Sequence, residues 1–372
     1  TSSPTTIPHG ISSVTITATD DSGNATSRVT SLTVTDSSFT VTTLDDELDA
    51  DPASDPADLS LREAISLANA SAGLDAIFFD SGLNGSISLN ASAGALQITD
   101  SVSIIGPEAA IITVDAQGNS RVMDVASGSG DVVIEGLTIT GGVTVGEGES
   151  GGGIRFQSPG TLTLNGSVVT GNTTMGETAA GGGIHVSNGN LVLTGSTVSH
   201  NSTAGESSGG GGIWAGGDVT ITHSTLIGNH TSAESSPGGG LVALDGTTSI
   251  LRTTVSDNFT EALGSGGGGV ALFSSAAVFR DSTISVNFTK NADAHGGGIH
   301  AAFADVDVIN STISGNQAGT DTGSSNGGGI YAIDAALDID SSTITANQAS
   351  GAGGGIGSPV DSDSPTLTIE NS

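Results

Sequence analysis

The one tryptophan of the chain, Trp214, belongs to a set of residues spaced 28 to 31 positions apart: Arg155, His185, Trp214, Val242, Ala271, His300 and Tyr331. Each directly follows the branched apolar residue that closes a glycine run. If each stands on a strand, alternation puts the whole set in one outward row. An aromatic ring beside an arginine and a histidine on a flat sheet suits stacking against a sugar. Arg155, His185, Trp214, His300 and Tyr331 are therefore the candidate ligand contacts; the competing reading is an aromatic shielded by the loop before it. A second chemistry is suggested by Asp45, Asp46, Glu47, Asp49 and Asp51, with Asp55 and Asp58, crowded into 14 residues without a base. Oxygen-only donors at that density suit calcium, the one cofactor this sequence suggests. An acidic linker diluted by Pro52 and Pro56 is the alternative.

Two further patterns bear on chemistry. Asn172, Asn201, Asn229, Asn258 and Asn287 each open an Asn-x-Thr triplet, the form of a glycosylation acceptor. Asn316 and Asn347 hold the same place without the threonine. A sugar site does not explain those two, whereas an asparagine ladder, with side-chain amides bonding from coil to coil, explains all seven. For hydrolysis or elimination, Asp305, Asp307, Asp338 and Asp340 could supply paired carboxylates. The bases Arg155, Arg252, Arg280 and Lys290, however, fall at unrelated places in their repeats.

These residues are positioned by a repeat. The apolar residue after the glycine run recurs at Ile154, Ile184, Ile213, Leu241, Val270, Ile299, Ile330 and Ile356. An apolar-x-x-Asn marker, from Val169/Asn172 to Ile344/Asn347, keeps step with it. Between them runs an alternating segment such as Leu191-Val192-Leu193 or Val306-Asp307-Val308. Three short strands in a unit of about 29 residues cannot bury an apolar side alone, so units must stack. The sequence thus predicts an all-β fold, a right-handed parallel β-helix with three strands per coil, since parallel crossovers are right-handed. The glycines suit a tight bend, and with neither a lysine nor a following helix they do not form a phosphate cradle.

The composition narrows the partners. Thirty-nine acidic residues against seven Lys and Arg give a net charge of −32, which disfavours nucleic acid and anionic membranes. Aromatics are 3% of the chain and cysteine is absent, so burial rests on Val, Ile and Leu without disulfides. No segment has the apolar length of a membrane span. Residues 1–37 read as two strands and a turn-rich loop, and 38–86 as an acidic linker and a capping helix over 59–71. In that helix Ser60 and Glu63 form a capping box, and Leu61, Ile65 and Ala68 form the apolar face. Residues 87–372 read as the solenoid, stopping within a coil, as a piece of a longer precursor would.

Val14-Thr15-Ile16-Thr17-Ala18-Thr19-Asp20 through Gly23-Asn24 resembles the second half of a hyalin-repeat, immunoglobulin-like module. Thr40-Val41-Thr42 through Ser60-Leu61-Arg62-Glu63-Ala64-Ile65 resembles the leader of bacterial CSLREAI β-helix proteins, with Leu59 where that family has cysteine. The Gly-Gly-Gly-Ile and apolar-x-x-Asn pair resembles the repeats of chlamydial polymorphic outer-membrane proteins, although these carry Phe where this chain has Val, Leu or Ile. The resemblances imply a β-helix at the cell surface. The reading is a non-enzymatic extracellular stalk or filament subunit, associating end to end or touching surface glycans or proteins. A polysaccharide-degrading β-helix enzyme is the alternative.

Overall fold

In the computed structural model the described residues are 10–19 and 25–34, as backbone, and then 37–49, 51–54, 56–261, 263–319, 324–359 and 366–372. Gly10–Thr19 and Ala25–Val34 pair as an antiparallel two-stranded sheet. Everything after them is parallel. Four stacked sheets of twelve, ten, eight and ten strands run along a solenoid, roughly 50 Å long at the usual strand spacing. A representative coil passes through Asn190–Thr194 in the first sheet, Thr197–Ser199 in the second, Ser202–Thr203 in the third and Ile213–Ala215 in the fourth.

The third sheet corrects the expected three strands per coil. Its two-residue strands carry too little alternation to register as a pattern, and only pairing from coil to coil defines them. The first sheet also starts before residue 87, since Ser38–Val41 and Asp75–Phe79 are already its first two strands. The helix Leu61–Ala70 is inserted between them.

Why these segments coil is visible in one column of each sheet. Inward residues such as Leu164, Leu193, Ile221, Ile250 and Phe279 are fully buried and stack in register. The chain turns from the first sheet to the second through one residue in left-handed conformation: Gly195 (φ +58°), then His223, Arg252, Asp281 and Asn310 in later coils. The next corner repeats the device just before each ladder asparagine. Within the glycine runs the constraint is space, because a Cβ on Gly182 would collide with the carbonyl oxygen of Ser202.

The cap follows the same economy. Ser60 Oγ accepts from the Glu63 amide at 3.1 Å, and the Ser60 amide donates to Glu63 Oε2 at 2.9 Å. Leu61, Ala64, Ile65 and Ala68 are buried over the first coil, where the helix packs on strands Ser38–Val41, Asp75–Phe79 and Leu96–Ile98. The otherwise open apolar end of the first coil is thereby covered.

Candidate functional site

The fourth sheet puts the candidate row into a single register: Asp124, Arg155, His185, Trp214, Val242, Ala271, His300 and Tyr331 follow one another coil by coil. Arg155, His185 and Trp214 are thus brought together, with Asp124 as a neighbour that the repeat pattern did not reveal. Arg155 grips it in a fork, Nε to Oδ1 and Nη2 to Oδ2, both 2.7 Å. This bond holds the Arg155 guanidinium above its ordinary pKa. Arg121, buried beside them, has its Nη1 3.8 Å from Asp124 and donates to the Ser150 and Gly151 carbonyls. Burial first, and then Arg155, bring the Arg121 pKa down to about 10.

The row is not the open shelf that sugar stacking requires. His185 lies flat against Trp214, ring centroids 4.6 Å apart and 14° from parallel. Val242 follows Trp214 in the next coil, so neighbours flank the indole along the column on both sides. Val242 and Ala271 are 2% and 0% exposed, and Tyr331 4%. The loop before each strand roofs the row: a Cβ on Gly209 would press on Val242, and one on Gly266 would press on His300. The outward row is therefore a narrow seam, aromatic and apolar from His185 onward, in which neighbours flank the face of Trp214.

Two groups in that seam lack partners. Nδ1 of His185 and Nδ1 of His300 are buried without a hydrogen bond. Burial, then Arg121 and Arg155, lower the His185 pKa to about 4. Burial, then His295, do the same for His300. Tyr331 is sandwiched with His295 at 4.3 Å and His300 at 5.6 Å, and His295 Nδ1 accepts from the Asn326 amide.

The acidic loop does not close into a cage. Asp46 takes a bidentate ion pair from Arg62, 2.8 Å on each oxygen, and also accepts from the Asn90 amide. Asp45, Asp49 and Asp51 are exposed. Glu47 titrates above the usual carboxylate range because of desolvation and then the charges of Asp58, Asp49, Glu63 and Asp45. Among the described residues no three carboxylates or imidazoles converge as metal ligands, and Asp55 lies outside them. Within the expected calcium set of Asp45, Asp46, Glu47, Asp49 and Asp51, the most buried member, Asp46, is engaged by Arg62, sixteen residues downstream.

The asparagine column is continuous. Nδ2 donates to the next Oδ1 from Asn172 through Asn201, Asn229, Asn258, Asn287 and Asn316 to Asn347, at 2.9–3.0 Å. The first six are fully buried, which bars a glycan. The threonine of each triplet fastens the loop that follows it. Thr174, Thr203, Thr231, Thr260 and Thr289 are buried and donate to the carbonyl five residues on. The residue between faces outward on the third sheet and stacks His230, Phe259 and Phe288 at 4.8 Å. A second ladder has no counterpart in the expectations from sequence. The Ser or Thr five places before each asparagine accepts from the preceding coil's amide, from Ser167–Ser196 to Ser311–Ser342. Its signal is present in the repeat, but small polar residues beside strands look like ordinary turn composition.

As for paired carboxylates, Asp307 and Asp338 are in register on the exposed face of the first sheet, and Asp305 accepts from the Ala336 amide. One surface hollow is lined by Pro107, Glu108, Glu135 and Asn165, and another by Ile339, Ile344, Ile356 and Ile369.

Compared with known proteins, residues 125–318 match the model of the right-handed β-helix region. No curated protein sequence matches the chain. Among solved structures it is similar to the A-module of the Azotobacter vinelandii mannuronan C-5 epimerase AlgE6, at 13% identity and a TM-score of 0.34, covering 87% of this chain and 96% of that one. The AlgE4 A-module of the same organism gives 13% identity, a TM-score of 0.26 and the same coverage. Likeness at that level carries no inference about chemistry.

Proposed function

The chain belongs to the right-handed β-helix family, and from that premise we propose that it is an extracellular or cell-surface structural protein, a β-helical stalk or filament subunit whose outer surface contacts proteins or glycans. The observation that carries this reading is the pair of buried ladders. Side-chain amides and hydroxyls link coil to coil without a break from Asn172 to Asn347 and from Ser167 to Ser342. Fully satisfied buried networks of this kind stiffen a rod and fix its register. Outside the barrel, the groups with most chemistry are engaged with one another, Arg155 with Asp124 and His185 with Trp214, instead of facing a common space. The likeness of the 40–65 segment and of the repeats to bacterial surface proteins points the same way.

The test measures turnover against adhesion. The purified chain is incubated with uronate-containing and neutral polysaccharides, and unsaturated products, reducing ends and epimer composition are followed. Retention on glycan arrays and on cell-surface fractions is scored in parallel. The expected result is retention without turnover. Turnover that disappears in Asp307→Asn or Asp338→Asn would replace this reading with the enzymatic one.

A further inference from the structure

The outward face of the second sheet has a composition found nowhere else on the rod. Its ten strands stay in unbroken register from Gly85–Ser88 to Thr343–Thr345. The column running from Ser86 to Thr343 is serine or threonine at every coil except Val168. The parallel column from Ser88 to Thr345 is serine or threonine except at Asp115 and Ile227. Seventeen of twenty outward positions therefore carry a hydroxyl and one carries a charge. The last four coils, Thr254–Ser256 to Thr343–Thr345, have no interruption.

Strand propensity alone favours threonine on an exposed sheet, but the same coils provide a control. The first sheet, equally parallel and with its outward positions more exposed, bears Asp307 against Asp338 and Asp340 against Glu370, as well as Glu135 and Arg280. In a chain with 39 acidic residues, propensity leaves charge on one face and does not explain its removal from the other. The hydroxyl residues of this face are at least partly exposed, except Ser199 and Ser256, which are buried. Among the described residues, the hydroxyls of Thr225, Thr254, Thr283 and Thr312 have no partner in the chain, and Ser199 to Thr170 is the one bond made between hydroxyls of the face.

In the first column threonine, β-branched and stiff at χ1, holds methyl and hydroxyl in a fixed alternation, and the second column, serine in most of the later coils, adds a row of hydroxyls. Parallel strands set the repeat along the rod at about 4.8 Å, and two residues of strand rise set the columns about 6.6 Å apart. From Thr138 onward such a surface is flat, rigid, uncharged and periodic in two directions. Methyl groups order the water over them while the hydroxyls anchor it, and the oxygen rows of hexagonal ice offer a lattice of matching scale. A crystalline polysaccharide would be met by planar aromatic rings, which this face lacks, and a mineral or a charged polymer by charge. We propose that the second sheet is an ice-binding face, independent of the aromatic seam on the fourth sheet.

The test freezes a dilute solution of the whole chain slowly onto a seeded crystal and compares protein in the ice with protein left in the liquid. Facet shape and thermal hysteresis are recorded alongside. The chain is expected to enter the ice and to shape it. Thr254→Tyr/Thr283→Tyr, which breaks the flat array, loses both effects, while Thr220→Tyr on the exposed first sheet keeps them. Circular dichroism checks the coil in each variant. If the tyrosine pair disturbs it, Thr254→Ala/Thr283→Ala, which removes hydroxyl and methyl without adding bulk, is expected to lose both effects in its place. Exclusion of the wild-type chain from ice, equal entry of the face variants, or retention on microcrystalline cellulose or chitin but not on ice would each overturn the proposal.

Discussion

The residue with the clearest pH signature is His185. Its Nδ1 is buried, its ring is stacked on Trp214, and Arg121 and Arg155 lie close to it. Burial and the two guanidinium charges oppose an imidazolium. The folded pKa, about 4, lies below the ordinary 6.5, so the unfolded chain binds the proton first as pH falls. The contribution of the neutral ring is full above about pH 6.5, declines between there and pH 4, and is gone below; its ceiling is about 3 kcal/mol. His300, faced by His295, Tyr331 and Phe273, follows the same sign. Because Trp214 is the only tryptophan, its emission reports the stacked imidazole. A quenching transition near pH 4 is expected, absent in His185→Gln; a midpoint near 6.5 would contradict the buried seam. Val286 offers a separate test. It sits at φ +59° with an exposed β-branched side chain, at a corner where the adjacent coils on either side have Asp257 and Gly315. Left-handed backbone costs such a residue about 1–2 kcal/mol. Val286→Gly should therefore raise the denaturation midpoint, by about 1 kcal/mol once glycine's entropy is counted.

At the scale of the element, the ladders govern. Asn258 Nδ2 donates to the Leu226 and Ser256 carbonyls and to Asn287, while its Oδ1 accepts from Asn229. Asn258→Ala leaves several buried groups unpaired, which is expected to cost roughly 3 kcal/mol. The loss should show as faster amide exchange in the coils on both sides. Asn347, partly exposed at the end of the column, should cost about 1 kcal/mol when changed to alanine, because water replaces its partners. Thr260→Val removes only the donor to the Ser265 carbonyl and is expected to cost about 1 kcal/mol. If the Asn-x-Thr triplets are structural, expression in a glycosylating host leaves Asn172 to Asn287 unmodified, and the intact mass shows it.

At the scale of the whole molecule, a net charge of −32 works against the compact rod. Carboxylates such as Asp307 and Asp338 stack in register on the exposed surface, where like charges directly opposite one another destabilise a sheet. Salt screens that repulsion. Raising the ionic strength from about 0.01 M to about 0.15 M shortens the Debye length from roughly 30 Å to roughly 8 Å, and the thermal midpoint in calorimetry is expected to rise. A midpoint that is flat or falls with salt would mean that the few ion pairs, Arg62–Asp46 and Arg155–Asp124 foremost, outweigh the repulsion. Side-by-side contact between rods meets the same barrier, so lateral association is expected only once salt or cations are present.

The sequence by itself determined the interior. An inward residue is set by period-two alternation within its strand and by the same residue type recurring about 29 positions on, so the spacing alone stacks Ile154, Ile184 and Ile213. The asparagine ladder and the Ser60–Glu63 cap were legible for the same reason, since each is a local pattern, repeated or self-contained. The outside was decided by tertiary structure. Whether Val242 or Trp214 faces water depends on the path of the loop before its strand, and no spacing records that path. Asp124 meets Arg155, and Arg62 meets Asp46, across coils where the repeat is too irregular to align. The third sheet has two residues per strand and no alternation to read, so only neighbouring coils define it. Periodic burial is written along the chain, whereas an outward side chain's partner is fixed only when the coils stack and the loops close over them.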